Sequence, residues 1–239
     1  MNFKKFCFVT AILALAAAHP ASAACTNATL NGVWGFQVGT AVGLLTADGQ
    51  GSLTGSQTVN QNGTILTQTF SGVYSVAKNC TGSVTFNVTG GGSGTANFDF
   101  DEAKKGFQII DTISGLVAEG IGLVRGTVTC GLTGKKTTYA AEVLGKINGT
   151  GPVGYVFQAI LDGNGNVTGT GTFDVNGAFT TGAISGKYTQ NADCTGTLEI
   201  QQPQPEPSLN FSTVVVNSGK EILLVETDAS AAAAGNMQK

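Results

Sequence analysis

The side chains in this sequence best placed for chemistry are oxygens. The stretch DGNGN, Asp162 to Asn166, alternates Asp and Asn with glycine, the way a flexible loop offers ligands to a hard cation such as calcium. Its spacing then fails the test. Counting from Asp162, a calcium loop of this kind needs glycine at the sixth position and an acid at the twelfth, but Val167 and Phe173 stand there. In the parallel stretch DGQGS, Asp48 to Ser52, two of the oxygen positions become Gln50 and Ser52. Both stretches keep Asp-Gly, the pair that favours a two-residue type I′ hairpin with positive φ at both central residues. Turns are expected at both places, and neither a metal nor another cofactor.

Two carboxylates recur at matching places. Asp111 in FQIIDT and Glu226 in ILLVET each follow two apolar residues and precede threonine. By strand alternation Asp111 shares a face with Phe107 and Ile109, and Glu226 with Ile222 and Leu224. If that face points inward, burial raises the acid's pKa and makes it a ligand contact or a weak general base. If the strand ends there, the acid sits on a wet rim, and the rim is the plainer reading. Tyr74 in SGVY and Tyr188 in SGKY also recur; the readings are a core aromatic or a ring that stacks on a ligand. These four residues are the candidate ligand contacts. No catalytic residue is expected.

The leader explains part of that poverty. MNFKK is a short basic segment, FCFVTAILALAAA an apolar one and ASA (Ala21 to Ala23) a small-residue cleavage signal. Residues 1–24 therefore read as a secretory signal peptide, too short for a membrane span and cleaved near Ala23 or Ala24. Its removal takes His19, the only histidine, and with it every imidazole-dependent site. It also takes Lys4 and Lys5, leaving 10 basic against 15 acidic residues. A mildly acidic chain with no basic run is not a nucleic-acid binder.

The elements that must position these residues are strands. Charged residues make up 11% of the chain and glycine 35 of 239 positions, and no stretch keeps a helical apolar period except the alanine-rich tail. Asp48–Gly82 aligns with Asp162–Gly196 without a gap, at an offset of 114, with 15 identities in 35 positions. The chain is thus two copies of one unit, expected over 25–127 and 128–239. Shared turn residues mark eight strands in the first copy: Val33–Gly39, Val42–Ala47, Ser52–Asn60, Ile65–Val76, Ser83–Thr89, Thr95–Phe100, Phe107–Thr112 and Leu116–Val124. Short connections make neighbours antiparallel. The expected fold is all-β, two tandem eight-stranded up-and-down barrels, because closure hides strand edges. Two β-sandwiches are the alternative. The order Cys25, Trp34, Cys80 fits one, but the second copy has no Trp and Lys78 replaces the tyrosine-corner Tyr.

Four cysteines remain after the leader, an even number that in an exported chain favours disulfides over metal. Each copy has one at its entry and one in its CTG turn, which selects Cys25–Cys80 and Cys130–Cys194. The rival reading of Cys25 as a lipid-bearing cysteine meets Ser22 where a bacterial lipobox carries an aliphatic residue. QPQPEP, Gln202 to Pro207, has no counterpart in the first copy and is expected to be an extended surface insertion.

The segments LNGVWGFQV, LLTADGQGSLTG, FSGVYSV, NCTGSVTF and GKEILLVETD resemble secreted bacterial repeats of the allene oxide cyclase barrel-like, calycin-type group. The resemblance implies eight-stranded barrels able to enclose a small apolar molecule. It implies no cyclase activity, since no catalytic residue of that enzyme matches a position here. Two functions are expected to compete. One is a secreted or periplasmic, non-catalytic module holding a small hydrophobic ligand in a barrel lumen. The other is a structural or adhesive surface protein whose lumens are filled by side chains.

Overall fold

Where threonine, serine or asparagine alternates with valine, leucine, phenylalanine or glycine, the chain forms strands with one wet and one dry face. The computed structural model describes residues 24–113, 117–126, 130–203 and 207–239; the expected leader lies outside them, apart from Ala24. The first unit holds β1 (Gly32–Val38), β2 (Ala41–Ala47), β3 (Ser52–Gln61), β4 (Thr64–Val76), β5 (Thr81–Val88), β6 (Ser93–Phe100), β7 (Gly106–Asp111) and β8 (Glu119–Val124). The second holds β9 (Thr137–Ile147), β10 (Gly151–Leu161), β11 (Asn166–Val175), β12 (Ala178–Gln190), β13 (Thr195–Gln201), β14 (Leu209–Val216), β15 (Glu221–Glu226) and β16 (Ala231–Gln238). Every neighbouring pair is antiparallel, and each unit closes on itself, β8 pairing with β1 and β16 with β9. The barrel is therefore the fold, and the sandwich alternative falls. The eighth strand starts later than expected, at Glu119, and Leu116 lies outside the described residues.

Duplication extends to the backbone. β11 and β12 begin and end 114 residues after β3 and β4. The register repeats too, Ser52 facing Val73 as Asn166 faces Lys187. Further on, Ala96 opposite Asp111 matches Phe211 opposite Glu226. The two-residue I′ geometry falls not on Asp-Gly but on Asn62-Gly63 and Asn176-Gly177, where both φ values are positive. The Asp-Gly turns are three-residue loops closed by Asp48 N donating to Ser52 O and Asp162 N to Asn166 O, with positive φ at the glycines only. Their carboxylates serve the loop. Asp48 Oδ1 accepts from the amides of Gln50, Gly51 and Ser52 at 2.7–2.9 Å.

The disulfides are Cys25–Cys80 and Cys130–Cys194, as the repeat requires, so Cys25 keeps no thiol for a lipid. Two disulfides fit an oxidising compartment. Among the described residues, no helix is long and apolar enough to cross a membrane.

The lumens are cores. In the first barrel Trp34, Phe98, Phe100 and Phe107 meet in edge-on or tilted contacts of 5.5–5.9 Å, and Phe36, Phe70 and Phe86 continue the series. A glycine on the adjacent strand lets a ring lie on the backbone: Phe107 over Gly122, and Phe86 over Gly94. The glycine-rich strands thus make slender, filled barrels. The second lumen is packed by Tyr139, Tyr155, Phe157, Phe173, Phe211 and aliphatic neighbours.

A third apolar cluster lies between the barrels. Val42 and Leu44 of β2 meet Val214 and Val216 of β14 and Leu223 and Val225 of β15. These strands are apolar on both faces, one toward a lumen and one toward the other barrel. At Gly35 the approach is close: a Cβ there would collide with methyl groups of Val214 and Val216. Asn60, 1% exposed, crosses the same junction, its Nδ2 donating to the carbonyls of Glu226 at 2.7 Å and Ala231 at 2.6 Å.

Candidate functional site

The four candidate contacts occupy different settings. Tyr74 is buried and its hydroxyl donates to Asn27 O at 3.1 Å; Tyr188 is buried and donates to Leu132 O at 3.3 Å. Each tyrosine pins the segment that follows its unit's entry cysteine across one mouth of its barrel. Asp111 is half-buried on the inner side at the end of β7, and its Oδ1 accepts from Ile113 N at 3.0 Å. The structure does not bring these residues together into one site.

Glu226 departs from the rim expected of it. It lies inside the second barrel, 1% exposed, opposite Phe211, and its Oε2 has no hydrogen-bond partner. Burial, reinforced by the charge of nearby Asp228, pushes its pKa up to about 8. Burial therefore favours its protonated form. Its depth escaped the sequence because the β3–β4 hairpin of the other barrel docks on the rim beside it, through Asn60 and through Gly63 against Ala229.

The Asp-Gly loops behave as turns. Asp162 is held below the usual carboxylate range, first by the side chain of Asn166 and then by backbone amides, and Asp48 by the amides of Ser52 and Gln50. Among the described residues no cluster of three or more His, Cys, Asp or Glu side chains is placed to hold a metal. Of QPQPEP, Gln202 is buried and donates to Pro207 O at 2.9 Å, and Pro203 covers Gly182. Residues 204–206 of that stretch lie outside the described residues.

The lumen of the second barrel retains a void of about 10 Å³ beside Tyr188, Leu198 and Met237. That is at the threshold for one water. The larger concavity is outside. A cleft of about 550 Å³ runs over the outer face of β2, β3 and β4, reaching Arg125 and Asp193 in the turn between β12 and β13. Thr46, Thr54 and Ser71 form one cross-strand row, and Leu44, Ser56 and Thr69 the next. Arg125 Nη1 donates to Asp193 O at 3.4 Å, joining the barrels at the end of the cleft. Sequence reasoning missed it because outward Thr and Ser read as an ordinary wet strand face. The available signal was that those of β2, β3 and β4 fall opposite one another. No protein-family model matches the chain, and no curated protein matches it.

Proposed function

We propose that the chain is an exported, non-catalytic double-barrel module that meets its partners on its outer surface, its lumens serving as hydrophobic cores. The observation that carries this reading is the packing of both lumens by side chains, interlocked aromatic rings in the first barrel and Tyr139, Tyr155, Phe157, Phe173 and Phe211 with aliphatic neighbours in the second. A ligand of fatty-acid size needs a cavity of several hundred Å³. The disulfides support export. If the expected leader is removed, His19 goes with it, and imidazole-dependent chemistry has no residue to use. Closed eight-stranded barrels accord with the calycin-type resemblance, which then extends to architecture without ligand storage.

One observation favours a second reading, a small apolar ligand in the first barrel. At the end where Asp111 lies, Val38, Phe86 and Ile109 are only half-buried, around an inward Gln57–Gln68 hydrogen bond of 3.3 Å. Titration with a fluorescent fatty acid, with native mass spectrometry of the purified protein, separates the two. The outer-surface reading expects no saturable binding and no co-purified adduct. A one-to-one adduct displaced by fatty acid, and lost in Phe86→Ala, would replace it with the second.

A further inference from the structure

We propose that the cleft over β2–β4 is a binding site for a neutral glycan, an oligosaccharide segment laid across the threonine and serine rows. This rests on the reading that partners are met outside the lumens. The hydroxyls of Thr46, Thr54, Ser56 and Ser71 line the cleft, and among the described residues none of them bonds to another protein group. Each retains a donor and acceptor capacity that an aliphatic ligand would strand. A ligand bristling with hydroxyls satisfies both. Val33, half-buried, adds an apolar side chain at the edge of the cleft. The charge is balanced, one guanidinium at Arg125 and one carboxylate at Asp193, so neither a polyanion nor a polycation is selected. Neighbouring hydroxyls stand about 5 Å apart across strands and about 7 Å apart along them, a grid that engages successive hydroxyls of an extended chain. The cleft, about 550 Å³, lies open along the strand face, so an extended chain can be laid across it.

The test is amide chemical-shift mapping of the full mature chain with maltotriose, cellotriose and N-acetylated chitotriose, each to millimolar concentration. The expected result is saturable shifts with at least one of them, confined to β2–β4, Arg125 and the β12–β13 turn. Thr54→Val with Ser71→Ala should weaken that binding about tenfold, since two hydrogen bonds are lost, and leave thermal unfolding in place. No saturable shift with any of the three overturns the proposal. So do shifts that map elsewhere, or an affinity unchanged in the double variant. If fatty acid occupies a lumen, the outer-surface reading falls whatever the glycans do; if neither class binds, only the glycan site falls.

Discussion

Glu226 is a buried acid with one carboxylate oxygen left without a partner. An acid whose pKa is raised to about 8 in the folded state, against about 4.5 when unfolded, binds its proton more tightly when folded. Its contribution to stability is complete below the unfolded pKa, declines as pH rises from about 4.5 to about 8, and is level above that. Urea unfolding across that window should show the decline, on the order of a few kcal/mol. Glu226→Gln should flatten it and raise the midpoint at pH 8, with little change at pH 4.5. A wild-type midpoint that climbs through the same window would show Glu226 to be ionised and solvated. Alternation told which face of β15 carries the acid. Its depth depended on a hairpin that docks from 166 residues away, through Asn60, and no local pattern encodes that. Asn60→Ala would leave the carbonyls of Glu226 and Ala231 without that donor and should cost about 2–3 kcal/mol in the same assay.

Among the elements, strands and disulfides were legible because duplication gave two readings of each. Of the eight strands expected in the first unit, the first seven lie within about two residues of those observed. Turn chemistry was less legible: Asp-Gly carries a hairpin signal, but here the aspartate folds back on the loop amides and shifts the type I′ geometry to Asn-Gly. The two Asn-Gly turns make a controlled comparison. Gly63 has φ +94° and its Cβ position is occupied by the carbonyl of Ala229 in the other barrel; Gly177 has φ +87° and open space. Gly177→Ala should cost about 1–2 kcal/mol, the strain of a left-handed residue. Gly63→Ala should cost more, and the difference in unfolding midpoint measures how firmly the barrels are seated on each other. Opening the disulfides, by paired Cys→Ala changes at Cys25/Cys80 or Cys130/Cys194, should cost about 4 kcal/mol per pair in the chain-entropy model, for closures of 55 and 64 residues.

At the scale of the whole molecule, the contact between barrels joins different faces of equivalent units: β1 and β2 of the first meet β14 and β15 of the second. Such a head-to-tail contact has no built-in limit, and a third unit or a second molecule could in principle add at either end. Register shows where the equivalent faces differ. Asp99 and Gln108 stand in the first barrel where Val214 and Leu223 make the contact in the second. At the opposite end Gln158 and Ala140 stand where Leu44 and Gly35 do. Restoring all four, with Asp99→Val, Gln108→Leu, Ala140→Gly and Gln158→Leu, should turn a monomer into concentration-dependent linear oligomers by light scattering, whereas the wild type should stay single at the same concentrations. Gly35 sets how near the second barrel can come: its lone hydrogen leaves room for the methyls of Val214 and Val216, room that Ala140 fills with a methyl of its own at the equivalent place.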